Sequence, residues 1–193
     1  MAGSAGSHDA RHSRGIGRIA VFAAILCGRA FAQEPGLDRL VPLEPGMTSV
    51  GGELGRSITA TIEGNILQLA VDRDFLAPFR RRDQRGGFVG LGMFIDSLVH
   101  MARTTGDERV LALKNRTVAE AIAAQQADGY LGIMPEESRT WRLWDVHESA
   151  YLIHGLTSDF LLFGARASLE AAERIGDRLV ARLRAAPERD LGD

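Results

Sequence analysis

Apolar residues recur between residues 57 and 185 at the three- and four-residue intervals that place them on one face of a helix. This spacing predicts five helices, over about 57–71, 88–104, 108–127, 143–163 and 167–185. Ser57 can cap the first of them. No stretch convincingly alternates apolar and polar residues with the period of two that is typical of half-buried strands. The pattern therefore predicts an all-α domain.

The junctions between two pairs of these helices are very short. Residues 103–107 join one pair and residues 162–166 join another, which favours antiparallel helix hairpins. Repeated hairpins build either open solenoids or closed toroids, and the pattern leaves both open. An arginine-rich stretch, residues 80–87, interrupts the helices. We interpret it as a solvated loop, with a phosphate or uronate site as the alternative.

The N-terminal residues have the three parts of a secretory signal. Three arginines precede an apolar run over residues 19–27, and Ala30-Phe31-Ala32 then supplies a cleavage pattern. The run is shorter than the roughly 20 residues that a membrane-spanning helix needs. We therefore expect residues 1–32 to be a signal peptide, and the protein to be periplasmic or secreted, with no membrane contact after cleavage. A retained anchor and a lipid on Cys27 are the alternatives.

The rest of the chain divides near residue 56. Residues 33–56 contain three prolines and five glycines, which predicts an extended segment. The predicted helices all follow it, so residues 57–193 form the expected helical domain.

Charge and cysteine content limit the possible partners. Without residues 1–32, which contain four arginines and one aspartate, the chain has 19 basic and 24 acidic residues and a net charge of −5. This balance disfavours a nucleic-acid partner, which normally requires a basic face. Cys27 is the only cysteine. The expected mature chain therefore has no disulfide, no thiol nucleophile and no cysteine ligand for a metal.

Six short motifs follow one another in a characteristic order. They are Gly52-Glu53-Leu54-Gly55-Arg56, Leu76-Ala77-Pro78-Phe79-Arg80, Phe88-Val89-Gly90-Leu91-Gly92, Gly106-Asp107, Gln125-Gln126-Ala127-Asp128-Gly129-Tyr130-Leu131-Gly132 and Trp144-Asp145-Val146. In this order, over about residues 51–180, they resemble the N-terminal portion of the catalytic domain of glycoside hydrolase family 127, the β-L-arabinofuranosidase-like enzymes. The glycine-rich turn that contains Tyr130 is among the more specific of the six.

The resemblance implies a fold and an activity. It implies an (α/α)6 toroid with a central cleft for a furanoside, a zinc-bound cysteine nucleophile and a glutamate acid/base, the last two downstream of the matched region. The sequence predicts about five helices where such a toroid has twelve. We therefore expect a truncated, catalytically incomplete portion of a hydrolase of plant or bacterial glycans, with no catalytic residue, metal or cofactor in this chain. Uncovered helix faces would then favour self-association.

Residues 141–148 are the segment richest in side chains that can bind a sugar. Aromatic rings stack on sugar faces, and polar side chains supply hydrogen bonds to hydroxyls. The candidate substrate-binding residues are Trp144, Asp145, His147, Glu148 and, in the glycine-rich turn, Tyr130. The resemblance implies that a histidine of this helix contacts the sugar, and His147 is the best match.

Each candidate also has a structural interpretation. Asp145 and Glu148 can stabilise the N-terminus of a helix, because acidic side chains favour that end. Trp144 and Tyr130 can pack in the core. His154 follows His147 by seven residues and is expected to have a packing role, and the two histidines are too far apart to chelate one metal without other ligands.

Two other functions remain open at this stage. A non-catalytic carbohydrate-binding module would keep the aromatic and polar residues of 141–148 without an acid/base pair. A helical-repeat scaffold would bind protein instead of a sugar.

Overall fold

The computed structural model describes residues 43–44, 47–186 and 188–190. Within these ranges the chain forms six α-helices and no β-strand, which confirms the all-α prediction. We number the helices α1 (Gly52–Gly64), α2 (Ala77–Arg81), α3 (Leu91–Thr105), α4 (Glu108–Ala123), α5 (Leu143–Phe163) and α6 (Arg166–Ala185). No helix in this described part is both long and apolar enough to cross a membrane. The predicted signal peptide, residues 1–32, lies outside the described residues.

The predicted bounds agree best with the structure in the C-terminal half. α5 has the predicted bounds, and α6 begins one residue before its predicted start. α4 ends at Ala123, four residues earlier than predicted. α3 begins at Leu91 instead of residue 88, because Gly90 has a φ of 82° and turns the chain into the helix from a left-handed conformation.

The single helix predicted over about residues 57–71 was wrong in both of its bounds. α1 begins inside the segment predicted to be extended and ends at Gly64, not at residue 71. A 3-10 turn, Ile66–Gln68, follows, and then a π-helical turn, Asp72–Leu76, leads directly into α2. Pro78 is compatible with α2 because it lies in the first turn, where the backbone N–H has no intrahelical partner.

Two helix hairpins make up most of the described chain. α3 and α4 are joined at Gly106-Asp107, and α5 and α6 are joined at Gly164-Ala165. Both glycines have φ near 70°, a conformation that ends a helix sharply and favours glycine. Two such hairpins in succession are compatible with part of an (α/α)6 toroid. The closed toroid stays a prediction.

The backbones of α3 and α5 touch at two glycines. A Cβ on Gly92 would lie 2.2 Å from the carbonyl carbon of Tyr151, and a Cβ on Gly155 would lie 2.4 Å from the carbonyl oxygen of Gly92. Both distances are shorter than real Cβ contacts. Only glycine therefore allows these two helices to cross so closely, and this crossing fixes the position of every side chain beside it.

A buried ion pair connects α4, α5 and α6. Lys114 Nζ lies 2.6 Å from Asp159 Oδ1, and both side chains are at most 3% exposed. The hydroxyl of Ser168 donates to the other carboxylate oxygen of Asp159 at 2.6 Å. The ammonium group also lies 4.2 Å from the centroid of the Phe163 ring. Removing either charge would leave the other buried without a partner.

An apolar groove is open to solvent between α5 and α6. Ile153, Leu169 and Ala172 are among the residues that line it. Exposed apolar surfaces of this kind favour association. Self-association of the chain, which was expected from the sequence, stays a prediction.

The contact between α3 and α5 can be tested by adding one methyl group. Gly155→Ala is expected to lower the free energy of unfolding by about 1–3 kcal/mol, because the added Cβ overlaps the backbone of α3. Gly176→Ala is the control, since a Cβ at this position of α6 meets nothing within 4 Å. It should raise the free energy of unfolding by about 0.5–1 kcal/mol. Urea unfolding followed by circular dichroism measures both, and equal effects would contradict the close contact.

The buried ion pair makes a second prediction. Lys114→Met should lower the free energy of unfolding by about 3–5 kcal/mol, because it leaves the Asp159 carboxylate buried and unpaired. Arg116→Met alters an exposed side chain of the same helix and should change stability by less than about 0.5 kcal/mol. Similar losses in the two variants, measured by urea unfolding, would show that the Lys114 charge has no special role.

Candidate functional site

One face of α5 carries four polar or aromatic side chains, of which Ser158 is buried. His147, Tyr151, His154 and Ser158 are separated by four, three and four residues, so they project from the same side of the helix. Eleven residues of α-helix extend over roughly 16 Å. The Tyr151 residue is 37% exposed and the His154 side chain is 64% exposed. This face is therefore accessible to solvent over much of its length.

Four rings form an aromatic cluster at the N-terminal end of this face. Phe88 stacks on Trp144 with their centroids 5.2 Å apart and an interplanar angle of 17°. The His147 ring lies 4.6 Å from Phe88, 5.4 Å from Trp144 and 4.9 Å from Tyr151. Phe88 is 42% exposed. The aromatic cluster thus combines partly exposed ring faces with the polar imidazole of His147 at its centre.

Two members of the aromatic cluster were not recognised in the sequence. Phe88 was predicted to lie on the buried stripe of a helix, and this was wrong, because the residue precedes α3 and is partly exposed. Tyr151 was not among the predicted substrate-binding residues. Its spacing of four residues from His147 was the available signal, since such residues share a helix face.

Glu148 is buried next to the aromatic cluster and binds the loop that carries Phe88. The residue is 1% exposed. Its Oε2 atom accepts hydrogen bonds from the backbone N–H groups of Val89, at 2.7 Å, and Gly90, at 2.9 Å. A carboxylate makes strong bonds to such donors, so Glu148 fixes the segment that carries Phe88. Direct contact of Glu148 with a sugar stays a prediction.

The buried atoms of this region include two without a partner. Oε1 of Glu148 and Nδ1 of His147 are buried and make no hydrogen bond in the structure. Buried polar atoms in native proteins usually have a partner. These two atoms lie where the α5 face meets the loop before α3.

Tyr130 and Asp145 form a buried pair away from the exposed face of α5. The Tyr130 hydroxyl donates to Asp145 Oδ1 at 2.7 Å and accepts from the N–H of Met134 at 3.0 Å. The other Asp145 oxygen accepts from the N–H of Thr140 at 2.7 Å. Burial, and secondarily the Asp145 charge, raise the pKa of Tyr130, so the phenol stays protonated. Their contacts fix the loop before α5, and a sugar contact by either residue stays a prediction.

A group of polar side chains from α3 and α5 lies next to the aromatic cluster. Asp96 on α3 accepts a hydrogen bond from the Ser158 hydroxyl at 2.6 Å, and the same oxygen lies 3.5 Å from Nε2 of both His100 and His154. We call these four residues the Asp96 group. The packing role predicted for His154 was wrong, because this residue shares the exposed face of His147.

The donor atoms in the described residues do not fit a zinc–thiolate centre. That part of the chain has no group of three His, Cys, Asp or Glu side chains that could hold a metal ion. The only cysteine, Cys27, lies outside the described residues. The buried carboxylates Asp145 and Glu148 are both bonded to neighbouring protein groups, so they do not form an open pair across a cleft.

The role of Glu148 in holding the aromatic cluster can be tested by substitution. Glu148→Ala should lower the free energy of unfolding by about 2–4 kcal/mol, because two backbone N–H groups lose their acceptor. Glu148→Gln keeps one acceptor oxygen and should cost about 1 kcal/mol. The alanine variant should also shift the fluorescence emission of Trp144, since Phe88 is no longer held against it. An unchanged emission in a folded Glu148→Ala protein would contradict this role.

Comparison with known proteins assigns the chain to a family. A search among curated proteins finds no match. The family model for the catalytic domain of GH127 β-L-arabinofuranosidases matches residues 58–191. The matched range contains most of α1, all of α2 to α6, the aromatic cluster and the Asp96 group. It covers well over half of the chain, so this protein belongs to the GH127 β-L-arabinofuranosidase catalytic-domain family.

Proposed function

We propose that the exposed face of α5 binds a furanose, and that the chain works within a glycoside hydrolase of plant or bacterial glycans that contain arabinofuranose or a similar sugar. The aromatic cluster next to the Asp96 group is the observation that carries this proposal. Membership of the GH127 family supports a glycoside as the ligand.

The aromatic cluster suits the apolar side of a sugar ring, and the Asp96 group suits its hydroxyl groups. Rings of Phe88 and Tyr151 offer apolar faces to the C–H groups of a sugar ring. Asp96 accepts hydrogen bonds from hydroxyl groups, and the imidazoles of His100 and His154 can donate or accept them. A small polar ligand with one apolar face therefore fits this surface better than a purely apolar ligand does.

This chain is proposed to supply substrate binding and not the chemical step. Asp145 and Glu148 are buried and bonded to the protein, so neither is placed to act as an acid, a base or a nucleophile toward a bound sugar. By resemblance, the nucleophile and the acid/base belong to the portion of the family domain that follows the matched motifs.

The same burial favours a second candidate function. A non-catalytic carbohydrate-binding module needs the aromatic cluster and the Asp96 group, and it needs no acid/base pair. Under both functions this chain by itself leaves the glycosidic bond of an arabinofuranoside intact, so hydrolysis by the chain would contradict both.

Export is also proposed. The arginine-flanked apolar run and the Ala30-Phe31-Ala32 pattern support a signal peptide over residues 1–32. The protein would then act in the periplasm or outside the cell, where polysaccharide side chains are accessible.

Sugar binding can be measured by the fluorescence of Trp144 and by calorimetry with methyl β-L-arabinofuranoside. Tyr151→Ala should weaken binding by about 5-fold or more, because it removes a stacking surface worth about 1 kcal/mol. Tyr151→Phe keeps the ring and should bind nearly as well as the unchanged protein.

Two controls make this test specific. Leu54→Ala removes an exposed apolar side chain of α1 and should leave binding unchanged. The arabinopyranoside of the same composition should bind more weakly than the furanoside. Binding that is equal in the Tyr151→Ala and Leu54→Ala variants would overturn the proposed site, and release of arabinose would contradict the proposal that the chain binds the sugar without carrying out the chemical step.

A further inference from the structure

Three arginines gather around the buried ring of Tyr130, away from the exposed face of α5. The guanidinium carbon of Arg139 lies 4.0 Å from the ring centroid, and that of Arg178 lies 4.7 Å from it. Arg82, in the loop that follows α2, is close enough to Arg139 for their charges to repel each other. Arg139 is 8% exposed. We call Arg82, Arg139 and Arg178 the arginine group.

One member of the arginine group has its charge balanced by a carboxylate. Arg178 Nε lies 3.1 Å from Asp128 Oδ2, and its Nη1 donates to the Thr140 hydroxyl at 3.1 Å. The nearby carboxylate of Asp145 is occupied by Tyr130 and by the N–H of Thr140. Asp128 is near enough to attract the other two arginines as well, but in the described ranges neither of them forms an ion pair with a carboxylate.

Arg82 and Arg139 bond only to neutral groups. Arg82 donates to the carbonyl oxygens of Arg80 and Ala124, and its Nε is buried without an acceptor. Arg139 donates from Nε to the carbonyl oxygen of Met134 at 3.0 Å. Neither guanidinium has a carboxylate within ion-pair distance in the described residues. Two partly or fully buried positive charges without a carboxylate at ion-pair distance are costly in a folded protein.

The electrostatics and the backbone both show that this arrangement is costly. Burial, and then repulsion by Arg139, lower the pKa of Arg82. Among the described residues, Arg82 and Thr140 are the non-glycine residues with positive φ, at 55° and 71°. Arg82 belongs to the arginine group, and Thr140 accepts a hydrogen bond from Arg178. Arg82 ends α2 in this conformation, which is common at helix C-termini, whereas Thr140 lies in the loop before α5, where a positive φ costs of order 1 kcal/mol and often occurs where a ligand is held.

We propose that Arg82 and Arg139 bind a small oxyanion, the carboxylate of a sugar acid or a phosphate group. Either anion presents two or three oxygens that match the N–H groups of a guanidinium in paired hydrogen bonds. The bound charge would balance the two arginines and supply the acceptor that Arg82 Nε lacks. Arg178 would keep its bond to Asp128. This site does not depend on the sugar site of α5, so either can fail without the other.

The test measures anion binding by the full-length chain in calorimetry and thermal unfolding. The probes are inorganic phosphate, sodium glucuronate and neutral glucose, at one ionic strength. Saturable binding of phosphate or glucuronate with a rise in Tm, and none with glucose, is the expected result. Stronger binding of glucuronate identifies a sugar acid as the ligand class, and stronger binding of phosphate identifies a phosphate group.

Variants locate the site. Arg139→Lys keeps the charge but loses the paired donors, so the affinity should fall by about tenfold or more. Arg82→Gly removes a charge and suits the positive φ, so the variant should unfold cooperatively yet lose anion binding. Arg85→Gln is the control, because Arg85 lies exposed in the same loop and pairs with Glu137. Failure of both anions to bind, or an equal loss in the Arg85→Gln variant, would overturn the proposal.

Discussion

The backbone contact between α3 and α5 is the constraint on which the rest of the structure depends. Gly92 and Gly155 let the two helices approach until a single Cβ would overlap the opposite backbone. At this distance Asp96 on α3 can reach Ser158 and His154 on α5, although 58 residues separate Asp96 from His154. The candidate site is thus built on rigid helices. Sites held in this way keep their side chains in place better than sites on loops.

Around this contact the polar side chains divide into two groups with different tasks. Glu148 and Asp145 are buried and fix two loops: Glu148 holds the loop before α3 through the N–H of Gly90, and Asp145 holds the loop before α5 through Tyr130 and Thr140. Tyr151 and His154, on another face of α5, remain accessible to solvent. A carboxylate that anchors a loop is less available for proton transfer, so Asp145 and Glu148 act in this structure as anchors of the two loops.

The sequence predicted the regular helices and the family, and it failed where tertiary contacts decide. α5 and α6 have continuous helical spacing, so their bounds were predicted almost to the residue. Phe88 continues the apolar spacing of α3, yet Gly90 separates it from the helix and exposes it. The apolar neighbours of His154 suggested packing, whereas its seven-residue distance from His147 was the better signal. Asp96 was not predicted, because two of its three partners, His154 and Ser158, come from another helix.

The proposed sugar site on α5 is tested most directly by a two-dimensional NMR titration of the chain with methyl β-L-arabinofuranoside, with the backbone amides assigned. We predict shifts around His147, Tyr151 and His154 on α5, in the loop that carries Phe88, and at Asp96, and no shifts elsewhere. Shifts at other surfaces only, or no shift at any sugar concentration up to the solubility limit, would contradict the proposed site.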